Sequence, residues 1–145
     1  MTVSAWKTVV VGVDGSRGSR NALTWAAAEA ADHGADLVVL NAWERTLLPP
    51  LGNPSVPPGN IADPAQSAAE YLLQVIQEEL GDDPPVLAQP LVKHGNAAEV
   101  LIAESAAADL LVVGTRGRGG FVGLVLGSVS QHVAAYAQCP VTVVR

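Results

Sequence analysis

The residues with the clearest capacity for chemistry lie in one stretch, GTRGRGGFVGLVLGS at positions 114 to 128, with glycine at 114, 117, 119, 120, 123 and 127. The stretch follows a strand-like apolar run and precedes a helix-like one. Glycine lets a backbone turn through positive φ and approach a ligand with no Cβ in the way, and the unpaired N–H groups and dipole of a helix start favour an anion. Ser128 and Ser130 add hydroxyls in the first helical turn, while Arg116 and Arg118 bring guanidinium forks that suit phosphate oxygens. The chemistry indicated is phosphate binding; the alternative is a flexible connection whose serines only cap a helix. No GxxxxGK[ST] motif is present, since no lysine follows Lys93, and no GxGxxG follows the first strand, so a Walker loop and a dinucleotide fingerprint are both excluded.

Asp14, in the turn Asp14-Gly15-Ser16, suits a ligand contact, the first position of a turn, or the cap of a helix. His33, His94 and His132 have no metal-ligand spacing to one another or to Cys139, the only cysteine. A lone cysteine excludes an intramolecular disulfide and a thiolate metal cluster, and its apolar surroundings predict an inert, partly buried thiol.

The elements that must position these residues follow from apolar periodicity. Lys7 to Val13 (KTVVVGV) and Asp36 to Trp43 (DLVVLNAW) are continuous apolar runs of the kind that fill strands covered on both faces. Between them, Leu23, Ala26, Ala27 and Ala30 recur at helical spacing over residues 17 to 33, with Gly34 as the stop. Five prolines and two glycines punctuate residues 44 to 60, which predicts a long exposed loop, and Asp63-Pro64 opens a second helix ended by Gly81. Residues 86 to 93 form an edge strand or bulge interrupted by Pro90, Asn96 caps a third helix that ends before Asp109, Asp109 to Gly114 is a fourth strand, Ser128 to Ala137 a fourth helix, and Pro140 to Val144 the last strand.

Strands alternating with helices predict an α/β three-layer sandwich around a five-stranded, mainly parallel sheet with four helices, in one domain over residues 1–145. In such sheets ligands lie beyond the carboxyl ends of the strands where strand order reverses, so Asp14 and the glycine-rich segment are expected to face one crevice. The charge of -6 disfavours nucleic acid and anionic membranes as partners, and no apolar stretch reaches transmembrane length. Met1 to Lys7 leads directly into the first strand without the pattern of an export signal, and a cytoplasmic location is expected.

Gly114-x2-Gly117-x9-Gly127-Ser128 is similar to the G-2x-G-9x-G-[S/T] signature of ATP-binding members of the universal stress protein superfamily. The resemblance extends to VVVGVDGS at 9 to 16, to Ser19, Ala22, Leu23 and Ala26, to ADLLVVGTRGRGG at 108 to 120 and to CPVTVVR at the end, and so covers nearly the whole chain. It implies a Rossmann-like fold of the adenine nucleotide alpha hydrolase type, strand order 3-2-1-4-5, binding ATP with Mg2+. Gly12, Val13 and Asp14 would line the adenosine end, with Asp14 also available to a nucleotide-bound magnesium. Ala42 would offer main-chain groups to the base, and Val113 and Gly114 would lie near the sugar. Arg116, Gly117, Gly127, Ser128, Val129 and Ser130 would hold the phosphates. The family also implies a homodimer through the terminal strand, 141–145, and a nucleotide-dependent stress-response module with an unnamed signalling partner. The alternatives are a slow ATPase or autophosphorylating protein, a nucleotide-free dimeric interaction module, and a binder of a cyclic adenine nucleotide.

Overall fold

The computed structural model describes residues 6–44, 63–115 and 126–145. The elements run β1 (Thr8–Gly12), α1 (Arg17–His33), β2 (Asp36–Trp43), α2 (Pro64–Leu80), β3 (Ala88–His94), α3 (Ala97–Ser105), β4 (Leu110–Gly114), α4 (Ser128–Tyr136) and β5 (Val141–Val144). The strands form one sheet in the order β3-β2-β1-β4-β5, and all four pairings are parallel.

The apolar runs are continuous because successive side chains enter two different cores. Val9, Val11, Leu37 and Val39 pack with Leu23, Ala26, Ala27 and Ala30 of α1 and Leu72 and Val75 of α2. Val10, Leu40, Leu111 and Val113 face the opposite way, onto Leu101 of α3 and Val133 of α4. The strand period of two thus divides each run between the layers, and burying one Leu such as Leu23 stabilises by about 1.5–3 kcal/mol. Alanine along the buried face of α1 lets that helix approach the sheet closely.

Side chains cap three helices. Ser16 Oγ accepts from Ser19 N at 3.3 Å, Asp63 Oδ1 from Ala65 N at 3.1 Å, and Asn96 Oδ1 from Glu99 N at 3.2 Å. Between the turn and cap roles of Asp14, the structure takes the turn: its Oδ1 accepts from Ser16 N at 2.9 Å, and Ser16 is the cap. Gly34, at φ 62°, closes α1 in the left-handed conformation that glycine adopts freely. Pro90 stands inside β3 opposite Val39, tolerated because β3 is an edge strand that needs only one row of ladder donors.

Strand order reverses between β1 and β4. α1 and α2 cover one face, α3 and α4 the other, so the chain leaves β1 and β4 toward opposite layers and opens a crevice at their carboxyl ends.

Candidate functional site

Two groups of residues meet at this crevice. On the β1 side, Val13 N donates to Leu40 O at 2.9 Å and Asn41 Nδ2 donates to Val13 O at 2.7 Å, which ties the strand end to β2. Ser19, buried in the first turn of α1, accepts from Asp14 N at 3.2 Å and donates to Ser16 O at 3.1 Å. The backbone from Val13 to Ser19 is therefore held by its own hydrogen bonds, with Gly15 at φ 87°. A Cβ on Gly15 would meet the hydroxyl end of Tyr71, and the positive φ favours glycine there.

Asp14, Asn41, Ala42, Ala68 and Tyr71 line a cleft of about 250 Å³ at this edge. Asp14 and Ala42 were expected there; Asn41, Ala68 and Tyr71 were not. Asn41 was detectable as the one polar interruption in DLVVLNAW, whereas nothing local distinguishes Tyr71 from the rest of the α2 stripe. Gly12 ends β1 and Val13 follows it: Val13 is buried, and a Cβ on Gly12 would approach the Leu101 methyls at 3.0 and 3.1 Å.

On the β4 side, Gly114 lies against α1. A Cβ there would be 2.7 Å from Gly18 C and 2.8 Å from Gly18 O, so the strand end and the helix start touch backbone to backbone. Val113, next to it, is buried in the α3–α4 core. Thr115 N donates to Val144 O at 2.9 Å, and Gly127 N donates to Thr115 O. Ser130, also buried, donates its hydroxyl to Thr115 O at 2.9 Å and Gly127 O at 3.0 Å, fastening the two ends of the glycine-rich connection together. Gly127 is the N-cap of α4 and supplies no side-chain acceptor, in contrast to the caps of α1, α2 and α3. The N–H groups of Ser128, Val129 and Ser130 accordingly open α4 without an intrahelical partner, and Ser128 is exposed beside them. Gly114, Gly127, Ser128, Val129 and Ser130 are thus brought together; Arg116 and Gly117 lie outside the described residues, as does nearly all of the proline-rich loop.

A further group holds α2 to the β1 turn. Arg20 donates from Nε to Gly15 O at 3.0 Å and pairs through one terminal nitrogen with Glu78 at 2.7 Å and Glu79 at 3.2 Å. Hydrogen bonding to Glu78 first, then Glu79, raises the guanidinium pKa above its ordinary value, and Arg20 in turn lowers that of Glu78, helped by Gln74. Burial, and secondarily the charge of Asp109, pushes the Cys139 thiol up, which fits an inert, partly buried group. His33 pairs with Glu29 and stacks on Trp6, His94 meets Trp43 edge-on, and His132 lies against Tyr136. Among the described residues no cluster of three His, Cys, Asp or Glu side chains could hold a metal ion.

The model of the universal stress protein family matches residues 5–145. The chain belongs to the universal stress protein family. A universal stress protein of Mycobacterium tuberculosis is 40% identical over 141 residues, which cover 94% of this chain and 44% of that protein. The chain therefore spans less than half the length of this relative. The fold is shared with the universal stress protein UspA from Lactobacillus plantarum, at a TM-score of 0.74 and 19% identity over 99% of this chain and 100% of that one. A universal stress protein solved in complex with cAMP is 28% identical, with a TM-score of 0.65 over 98% of each chain.

Proposed function

We propose that this universal stress protein domain, taken as one unit over residues 1–145, binds an adenine nucleotide, ATP with Mg2+, across the crevice between β1 and β4. The observation that carries the reading is the start of α4: a helix N-terminus with no side-chain cap, closed by Ser130 into a glycine-rich connection and opposed to the Asp14 turn. Such an N-terminus attracts phosphate through its N–H groups and its dipole. Gly127, Ser128 and Val129 hold the phosphates, and Ser130 shapes their site. Arg116 and Gly117 belong to the same segment in sequence. Gly12, Val13, Asp14, Ala42, Val113 and Gly114 frame the nucleoside. The donor set fits magnesium only as a nucleotide-bound ion contacted by Asp14, since the described residues provide no metal cluster of their own.

Occupancy of this site alters the surface the domain presents to a signalling partner in the cytoplasm, and the 141–145 strand pairs two copies as a homodimer. Binding rather than turnover is the activity in this reading. The neighbour solved with cAMP favours a second reading, in which a cyclic adenine nucleotide is the ligand. Chromatography of small molecules released when the freshly purified protein is denatured tests both. ATP in the released fraction, lost in Gly127→Ala, supports the first; cAMP supports the second; and absence of any nucleotide, together with no affinity for added nucleotide, rejects both.

A further inference from the structure

We propose that Tyr71 contacts the ligand as the wall on which the nucleobase rests, and that Arg20 is the positioning residue that keeps it there. This inference rests on the nucleotide reading of the same crevice and concerns the end away from α4. Among the described residues, those that line the cleft, Asp14, Asn41, Ala42, Ala68 and Tyr71, include a carboxylate and no cationic side chain. A phosphate would be repelled there, whereas a neutral planar base suits a phenol ring, an amide and two methyl groups. Its volume of about 250 Å³ lies below the roughly 300–1,000 Å³ of sites that enclose a whole small molecule, and so matches one moiety of a nucleotide.

Tyr71 is half-buried, packed on the α1–α2 core, and its hydroxyl occupies the space a side chain at Gly15 would need. The ring therefore touches the same turn that presents Asp14. Glu78 and Glu79 stand seven and eight positions beyond Tyr71 on α2, on the stripe that faces α1. Arg20 grips both, and with the same guanidinium holds Gly15 O. One side chain thus joins the turn under the cleft to the helix that carries its aromatic wall. Because these bonds occupy Arg20 behind the turn, it acts through Tyr71 and not on the ligand.

The test is calorimetric titration of ATP, and separately of tripolyphosphate, into the unmodified chain and into Tyr71→Phe, Tyr71→Leu and Arg20→Met. Tyr71→Phe keeps the ring and binds ATP within about twofold of the unmodified chain, while Tyr71→Leu keeps apolar bulk and loses about tenfold, as expected for one base–aromatic stack. Arg20→Met loses a smaller factor, and tripolyphosphate, which has no base, binds all variants alike. Undiminished ATP affinity in Tyr71→Leu, or an equal loss for tripolyphosphate, overturns the inference while leaving the nucleotide reading intact. Failure of the unmodified chain to bind either ATP or cAMP overturns that reading and this inference together.

Discussion

Replacing Gly114 with alanine tests the contact that brings the two halves of the crevice together. The added Cβ would stand 2.7 Å from Gly18 C, 2.8 Å from Gly18 O and 3.0 Å from Ser19 N. All three are backbone atoms, so no rotamer change relieves the clash; β4 or the first turn of α1 must move. Overpacking costs about 1–3 kcal/mol, and the absence of a flexible neighbour places this case in the upper half of that range, about 2–3 kcal/mol. At about 2.1 cal/mol/K per residue, the unfolding entropy of 145 residues is about 0.3 kcal/mol/K, so the melting temperature should fall by about 7–10 °C. Differential scanning calorimetry measures this directly, with Gly34→Asn as control: Gly34 has nothing within 4 Å of its Cβ position, and asparagine tolerates its left-handed φ. A Gly114→Ala melting temperature within about 2 °C of the unmodified chain would refute the argument from close backbone approach.

Ser16→Ala removes the α1 cap and should cost about 1 kcal/mol, or about 3 °C in a thermal melt, with Ser16→Asp restoring most of it. Because Arg20 holds the Glu78 carboxyl below its ordinary range, that pair stabilises the fold above the unfolded carboxylate pKa and ceases to do so as pH falls through the lowered folded value. Glu78→Gln should therefore melt below the unmodified chain at pH 7 and converge with it in acid; an equal gap at both ends of the titration would contradict the pairing. Cys139, its thiol pushed up by burial, should react with a disulfide reagent at pH 8 more slowly than free cysteine, in a rate-against-pH series.

The centre of the sheet was legible because β1 and β4 are buried on both faces, and runs such as VVVGV and DLLVV have no other stable placement in a chain of alternating elements. The ends of α2 were legible too, because Asp63-Pro64 and Gly81 act on the backbone next to them and need no distant partner. The cap of α1 was not: Asp14 and Ser16 both suit that role, and the choice depends on Asp14 accepting from Ser16 while Ser16 accepts from Ser19. Within the candidate site, the phosphate reading of the glycine-rich segment rests on local composition. The need for glycine at 114 has a different source, the backbone of Gly18 in a helix remote in sequence. Ser130 read as a phosphate donor, yet its hydroxyl donates to Thr115 O and Gly127 O, an arrangement visible only once both ends of the connection are placed. Tyr71 and Arg20 were missed for the same reason, since their partners sit on different helices.

Ser128→Asp separates anion binding from stability at the start of α4. A carboxylate at the first helical position is favoured by the helix dipole, so the fold keeps or gains stability, by about 0.3–1 kcal/mol, while phosphate meets a like charge at an exposed position. The decisive measurement is a calorimetric titration of ATP with magnesium into the unmodified chain and into Ser128→Asp. The account predicts saturable binding of one nucleotide per chain that is lost in the variant while its melting temperature is maintained; equal binding by both, or no binding by either, would contradict it.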